Sequence, residues 1–179
     1  MKALVFLTSL LMSVYVWAAE VDQEASQFKW TATKVTGKHY GKVPVKTAAV
    51  KINKRGMIKS GEFVLDLTKF TIDDITGKYA AKFLKHMKNE DFFQVEKWPN
   101  AKLVLKKVKN GTAKGELTIK GKTQKVKFPY AVNDKTYTGT LKFDRTKFGM
   151  KYGSGSFFDN LGDKVIHDEV AVDFKVVLK

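Results

Sequence analysis

Histidines, serines and paired acids are the residues of this sequence whose types fit catalysis or metal binding. The three histidines, His39, His86 and His167, stand far apart and lack the short spacings of a zinc site. A single histidine in a segment is more often a hydrogen-bonded structural residue than a metal ligand or a general base. The sequence therefore predicts no metal site.

The serine and carboxylate patterns do not form an active site either. Ser154 and Ser156 alternate with glycines, but no strand–turn–helix elbow surrounds them, and the lysine and helix of a phosphate-binding loop are missing. Glu90 and Asp91 are adjacent just after a predicted helix, where they fix or solvate its turn. We therefore predict no catalytic residues and a protein that is not an enzyme.

Most of the chain has the alternating pattern of half-buried β-strands. The last predicted strand shows it most clearly, since Val170, Val172 and Phe174 alternate with outward residues. Asn110-Gly111 is a strong hairpin signal. About eight strands in hairpin succession predict an all-β fold, either a closed barrel or a sandwich. An eight-stranded barrel has room inside for packed side chains or for one small ligand.

Two irregularities occur early in this pattern. Gly37 and Gly41 predict a turn that contains His39 and Tyr40. Pro44 predicts a break in the second strand, because proline cannot donate a hydrogen bond to a neighbouring strand.

One amphipathic helix interrupts the strands. Its apolar side carries Tyr79, Ala80, Phe83, Leu84, His86 and Met87, and its other side carries Lys78, Lys82, Lys85 and Lys88. Asp73 and Asp74 precede it, where acids suit the N-terminal dipole. A lone apolar-faced helix must cover something, either the open end of a barrel or the outside of a sheet. We expect Tyr79, Phe83 and Met87 to face inward.

A long connection from Asp144 to His167 joins the last two predicted strands. It contains four glycines and several aromatic residues, so it is too long for a passive loop and too aromatic for a disordered one. Two roles stay open: a flap over one barrel mouth, or a loop that packs on itself and plugs its own end.

The N-terminus has the pattern of a secretory signal peptide, with Lys2 followed by an apolar run and small residues. Cleavage after Ala18 divides the chain into a signal peptide, 1–18, and a single domain, 19–179. The sequence has no cysteine. An exported protein without disulfides fits a bacterial periplasm. We therefore expect a soluble periplasmic protein.

The chain is strongly basic, with 33 Lys and Arg against 18 Asp and Glu. Such an excess fits a nucleic acid, another polyanion or an anionic membrane surface. The lysines are spread over nearly every predicted strand, as on a solvated outer face. We expect no nucleic-acid binding and, at an anionic membrane surface, a transient contact.

Five segments resemble the YceI-like, polyisoprenoid-binding family: KVTGKHYG (34–41), GEFVLD (61–66), FLKHMKNEDFFQVEKWP (83–99), GELTIKGKT (115–123) and DRTKFGMKYGSGSFFDNLGDK (144–164). They follow the family order and cover essentially the whole chain after the leader. Met87 and Trp98 are mild departures. The resemblance implies an eight-stranded antiparallel lipocalin-like barrel, with the helix covering it and a long Gly/aromatic loop.

The resemblance also implies a binding protein that holds a polyisoprenoid or isoprenoid quinone, with no cofactor beyond that lipid. Whether it is a monomer or a homodimer stays open. A binder of a fatty-acid or amide-type amphiphile is the main alternative. A polyanion-binding basic protein, and an enzyme that uses His39 or His86 on a bound lipid, are two others.

Strand phase and the resemblance give a set of candidate ligand-binding residues. Lys34 ends its strand on the face of Phe28 and Trp30, and we expect it to contact the polar head of a lipid, or else to be paired or solvated. The full set is Phe28, Trp30, Lys34, Phe63, Leu65, Phe83, Met87, Phe92, Leu103, Leu105, Leu117, Ile119, Leu141, Phe143, Phe148, Val172 and Phe174.

Overall fold

A computed structural model describes residues 17–179. The strands are β1 (Trp17–Ala19), β2 (Val21–Lys34), β3 (Gly37–Lys42), β4 (Val45–Ile52), β5 (Ile58–Asp66), β6 (Asn100–Lys109), β7 (Thr112–Ile119), β8 (Lys122–Asn133), β9 (Thr136–Asp144) and β10 (Ile166–Leu178). Helix α1 spans Gly77–Lys88, and two 3-10 turns span Arg145–Phe148 and Gly162–Lys164. No helix within residues 17–179 is long and apolar enough to cross a membrane.

The predicted signal peptide lies largely outside the described residues. Its last two residues, Trp17 and Ala18, belong to β1 and pair with Ile52 and Lys51 of β4. Cleavage after Ala18, which stays a prediction, would remove two of the three β1–β4 pairs.

The described strands form one antiparallel sheet in the order β1-β4-β5-β6-β7-β8-β9-β10-β2-β3. The link between β3 and β4 closes this sheet into a barrel. The Val43 N–H donates to the Phe28 carbonyl of β2 at 3.0 Å, and the Pro44 carbonyl accepts from the Asp66 N–H of β5 at 2.9 Å. β3 and β4 are therefore two halves of one strand that is broken at Pro44.

β1 and β2 are likewise two parts of one strand, because only Glu20 separates them. When each broken strand is counted once, the ten segments make the eight strands that the sequence predicted. The break falls at Pro44 because proline has no N–H with which to continue a ladder. The prediction of an all-β, lipocalin-like barrel is confirmed.

The predicted turn at His39 and Tyr40 is wrong. Both residues lie in β3, and the chain turns earlier, at Val35 and Thr36. Gly41 instead allows a close approach, since a Cβ atom there would lie 2.1 Å from the Thr71 carbonyl oxygen. Residues 71–73 run against β3, where the Thr71 and Asp73 N–H groups donate to the carbonyls of Lys42 and Tyr40.

Helix α1 packs on the core through Ala80, Phe83, Leu84 and Met87. The expectation that Tyr79 faces inward is wrong, because its side chain is 66% exposed. At 100° per residue, Tyr79 lies roughly 90° from the centre of the stripe formed by the four packed residues. It therefore stands at the edge of the apolar face, and its ring stays in water.

Asp73 and Asp74 precede helix α1, as the sequence predicted. No acid lies in the first turn of α1. Asp74 instead accepts hydrogen bonds from His39 Nδ1 at 2.7 Å and from the Tyr40 N–H at 2.9 Å. It thus ties the entry of the helix to β3.

Helix α1 and the connection 145–165 lie at the same end of the barrel. We call this the helix end; it also carries the β2–β3 turn at Val35 and Thr36. The opposite end, called the far end, carries the β6–β7 turn at Asn110-Gly111 and the buried Tyr137. The Tyr137 hydroxyl accepts from the Ile58 N–H at 3.0 Å and donates to Met57 Sδ, so it closes the far end.

Candidate ligand-binding cavity

The barrel interior holds an apolar cavity of about 420 Å³. The inward side chains of the strands line it, together with Phe83, Met87 and Phe92. All the candidate ligand-binding residues named from the sequence line this cavity except Phe148. This volume falls within the range of about 300–1,000 Å³ typical of small-molecule sites.

Cross-strand pairing places these side chains in layers. Val172 of β10 pairs with Trp30 on one side and Leu141 on the other, and Leu103 of β6 pairs with both Phe63 and Leu117. Directly paired residues share one face of a sheet. Because each strand alternates with a period of two, an apolar residue at every second position is enough to build the wall.

Phe148 is the exception. Its side chain is 0% exposed, and its ring packs edge-on against Phe143 with centroids 5.5 Å apart. It belongs to the 3-10 turn Arg145–Phe148, so the strand period does not set its direction. Phe143 lines the cavity, and Phe148 packs against it without reaching the cavity.

Several lining residues were missed. At the far end they include Ile58, Val108, Ala113, Tyr137 and Val176. Strand phase would have identified Ala113 and Tyr137, which are inward positions of β7 and β9. It would not have identified Val108, because an irregularity in β6 after Leu105 shifts the inward phase by one residue. At the helix end, Phe70 and Phe93 lie in irregular segments that carry no periodic signal. The Phe70 ring lies 6.2 Å from Trp30 and 5.6 Å from Phe93.

The charged part of the cavity wall lies at the helix end and is basic. Lys34, Lys164, Arg145, His39 and His86 are the charged or titratable groups of the lining apart from tyrosines, and the described lining contains no carboxylate. Within residues 17–179, the side-chain ammonium groups of Lys34 and Lys164 have no hydrogen-bond or ion-pair partner. Lys164 is exposed and Lys34 is half-buried. The cavity therefore opens to solvent at the helix end, beside two unpaired ammonium groups.

The two histidines of the mouth are held by acids outside the cavity wall. His39 pairs with Asp74, and His86 Nε2 lies 3.1 Å from Asp91 Oδ2. Both rings also pack on aromatic neighbours, since His39 lies 5.0 Å from Phe83 and His86 lies 5.1 Å from Phe92. Such contacts fit structural histidines, as the sequence suggested. Within the described part of the chain, no group of three His, Asp or Glu side chains has the geometry of a metal site.

The long connection packs on itself and also reaches the cavity. Its Tyr152 lines the mouth and packs edge-on against His86, with centroids 4.6 Å apart. Met150 of the connection and Ile166 at the start of β10 contribute apolar lining. The connection therefore combines the two roles that the sequence left open.

Arg145 holds the connection in shape. Its guanidinium is only 3% exposed and donates to four carbonyl oxygens, those of Met150, Tyr152, Ile166 and His167, at 2.7–3.1 Å. Burial lowers the pKa of Arg145, while the charges of Asp168 and Asp144 oppose that shift. Asp168 lies 3.4 Å from the guanidinium.

The serines of the Gly-Ser-Gly-Ser run serve this same network. The Ser156 hydroxyl donates to Asp168 at 2.6 Å, and Ser154 is fully buried. Burial alone would raise the pKa of Asp168, but hydrogen bonds from Ser156 and Ser154 and the charge of Arg145 hold it below its usual value. The role of Ser154 and Ser156 in the fold is therefore structural.

Asp168 predicts an acid-sensitive component of stability. Because its pKa is lower in the folded protein than in the unfolded chain, its contribution is present above about pH 4 and is lost as the pH falls through the folded value. We expect Asp168→Asn to be less stable than wild type at pH 7, with the difference shrinking at acid pH. Urea unfolding at several pH values measures this. A constant difference down to pH 2 would contradict the assignment.

Phe83 gives a second prediction. Its ring stacks on Trp30 at 6.1 Å with an angle of 4° between the planes, but it is only half-buried and faces the cavity. We expect Phe83→Ala to lower the free energy of unfolding by less than the roughly 3–5 kcal/mol of a packed core phenylalanine, and to weaken binding of an isoprenoid quinone.

Quenching of tryptophan fluorescence by the added quinone measures that affinity, and urea unfolding measures the stability. Tyr79→Ala on the exposed edge of the same helix is the control, which should change neither. Unchanged unfolding together with unchanged quinone affinity in Phe83→Ala would contradict the prediction.

Solved structures with the same fold include a crystal structure of BcnA from Burkholderia cenocepacia and a structure of a polyisoprenoid binding domain from Saccharophagus degradans. BcnA has a TM-score of 0.67 at 23% identity, covering 89% of this chain and 100% of its own. The S. degradans domain has a TM-score of 0.59 at 13% identity, covering 92% and 99%. The YCEI protein of Campylobacter jejuni has a TM-score of 0.51 at 12% identity, covering 99% and 93%. At these identities the likeness concerns the fold.

No curated protein sequence matches the chain. The model of the YceI-like domain, however, matches residues 17–178, which is nearly the whole chain. This match agrees with the five segments quoted above and with the closed barrel, its covering helix α1 and its interior cavity. The chain belongs to the YceI-like family.

Proposed function

We propose that this protein is an exported periplasmic carrier that holds a polyisoprenoid or isoprenoid quinone inside the barrel for transport, storage or sequestration. The observation that carries the proposal is the apolar cavity of about 420 Å³ that opens beside two unpaired lysines. The S. degradans structure of the same fold is described as a polyisoprenoid binding domain, which supports this choice of ligand.

The chemistry of the wall favours an extended apolar chain with a polar head. Leucines, phenylalanines and valines line the depth of the barrel, while the cationic groups stand only at the helix end. A chain placed in the barrel gains about 25 cal/mol for each Å² of apolar surface removed from water. Its head would then lie between Lys34 and Lys164, where an oxygen-rich group can accept hydrogen bonds.

The proposal requires no catalytic step by the protein. His39 and His86, the groups at the mouth suited to acid–base work, are each engaged with a carboxylate and an aromatic ring. Export rests on the predicted signal peptide. N-terminal sequencing of protein recovered from a periplasmic fraction tests it, and a chain that still begins at Met1 would overturn it.

The decisive experiment is native mass spectrometry of the purified protein, followed by organic extraction and identification of what is released. A polyprenyl lipid or quinone at one molecule per chain supports the proposal. Release of a fatty acid or an amide would change the proposed ligand class but would still support the carrier role. An empty cavity that stays empty when isoprenoid quinone is added would overturn the carrier role. The same spectra distinguish a monomer from a homodimer.

Lys34 provides a narrower prediction. We expect Lys34→Met to retain the fold and to lose lipids with an anionic or oxygen-rich head, because the cationic partner at the mouth is removed. Mass spectrometry of the extracted lipid measures this. Lys38→Met in the same hairpin is the control, since Lys38 is exposed and does not line the cavity. An unchanged lipid complement and affinity in Lys34→Met would remove the head-group role.

A further inference from the structure

Large apolar side chains are exposed mainly around the mouth of the cavity. Of the exposed large hydrophobic residues in the described chain, Trp17 and Val132 lie at the far end. The others lie on the segments that form the helix end: Val35, Tyr40, Tyr79, Tyr152, Phe157 and Phe158. An exposed apolar patch on one end of a protein usually marks a surface that contacts a partner or a membrane.

The helix and the hairpin at this end are basic. Helix α1 contains four lysines and a histidine and no acid, and Lys78, Lys82 and Lys85 are exposed. Within residues 17–179, none of these three lysines has a carboxylate within 4.0 Å. The hairpin segment 34–42 likewise contains three lysines and no acid. Two acids of the neighbouring connection, Asp159 and Asp163, are the opposing charges nearest in sequence to Phe157 and Phe158.

Cations and aromatic rings are neighbours on this surface. The Lys38 ammonium lies 5.8 Å from the Tyr40 ring, Lys78 lies 5.4 Å from Tyr79, and Lys151 lies 4.2 Å from Phe157. Aromatic rings favour the headgroup level of a bilayer, and lysines are attracted to anionic headgroups. This combination is suited to an interface between water and lipid.

We propose that the helix end is a docking surface for an anionic phospholipid bilayer. The inference rests on the proposed carrier function and adds the site of exchange. Because the cavity opens on the same surface, an apolar ligand passes between bilayer and barrel without crossing bulk water. The lysines attract the protein to the anionic headgroups, and the exposed rings around the mouth of the cavity insert shallowly into the bilayer.

The expected strength follows from the charges. Each lysine near an anionic surface is worth about a fivefold change in binding, so three together are worth about 100-fold. The attraction should weaken with salt, because the Debye length falls from about 10 Å at 0.1 M to about 3 Å at 1 M. Neutral vesicles should bind far more weakly than anionic ones.

The test is vesicle flotation with the purified protein on phosphatidylcholine vesicles, with and without 30% phosphatidylglycerol. We expect the triple variant Lys78→Gln, Lys82→Gln, Lys85→Gln to lose binding to anionic vesicles by about 100-fold. The matched control changes three exposed lysines of the barrel wall: Lys114→Gln, Lys125→Gln and Lys127→Gln. This control has the same net charge and should bind almost as wild type does.

The aromatic contribution is tested by the double variant Phe157→Ser, Phe158→Ser, with Val132→Ser at the far end as control. We expect the double variant to float less than Val132→Ser at equal charge. Equal losses in the two triple-lysine variants would show unspecific attraction of a basic protein and would overturn the proposal. So would equal binding to neutral and anionic vesicles, or an interaction only with acidic proteins.

The two proposals fail in different ways. An empty cavity that takes up no isoprenoid quinone contradicts the carrier function, whereas flotation still reports whether this end binds a bilayer. Conversely, lipid-loaded protein that does not float contradicts the docking surface alone. Circular dichroism spectra that match wild type establish that each variant is folded.

Discussion

Replacing Arg145 by methionine is expected to lower the free energy of unfolding by about 3–5 kcal/mol, the cost typical of removing one partner from a buried charge network. The guanidinium satisfies four carbonyl oxygens of residues 150–167, and no methionine atom can donate to them. Asp168 also loses its cationic partner. Urea unfolding at pH 7 measures the change.

Two variants make this expectation specific. Lys147→Met alters an exposed residue of the same 3-10 turn and should change stability by less than about 0.5 kcal/mol. Arg145→Lys keeps the charge but lacks the planar fork, so it should recover only part of the loss. A cost below about 1 kcal/mol for Arg145→Met would show that the connection does not depend on this network.

The role of Arg145 could not be predicted from the sequence, although the residue belonged to a segment that carried the family resemblance. Its partners are main-chain carbonyls up to 22 residues away, and such contacts leave no trace in residue type or spacing. The strands show the opposite case. Phe28, Trp30 and Phe174 were placed on the cavity side because alternation with a period of two fixes the direction of each side chain.

The errors arose where the interpretation depended on a signal other than this period. Tyr79 is predicted on the inner face of α1, but it lies at the edge of the apolar stripe and is exposed. Tertiary packing decides which residues at that edge become buried, and the sequence pattern does not show it. Gly41 was interpreted as a turn residue, whereas it is small because residues 71–73 approach β3 closely. A glycine needed for a turn and a glycine needed for a close approach look the same in a sequence, so the sequence alone does not distinguish them.

Filling the cavity should have a large effect on ligand binding. Leu105 lines the interior, and the cavity of about 420 Å³ that its side chain faces has room for a larger residue. We expect Leu105→Trp to fold and to exclude roughly 100 Å² of ligand contact. At about 25 cal/mol per Å² this is about 2.5 kcal/mol, or roughly a 50- to 100-fold loss of affinity for isoprenoid quinone.

Quinone titration followed by fluorescence, together with mass spectrometry of co-purified lipid, measures the loss. The control is Lys106→Trp on the same strand, which adds the same side chain to an exposed outer position and should leave affinity unchanged. Urea unfolding should show Leu105→Trp within about 1–3 kcal/mol of wild type, the usual cost of a larger core residue. Full lipid content in a folded Leu105→Trp protein would mean that the ligand does not occupy the barrel, and the exposed surface of the helix end would then be the place to look for it.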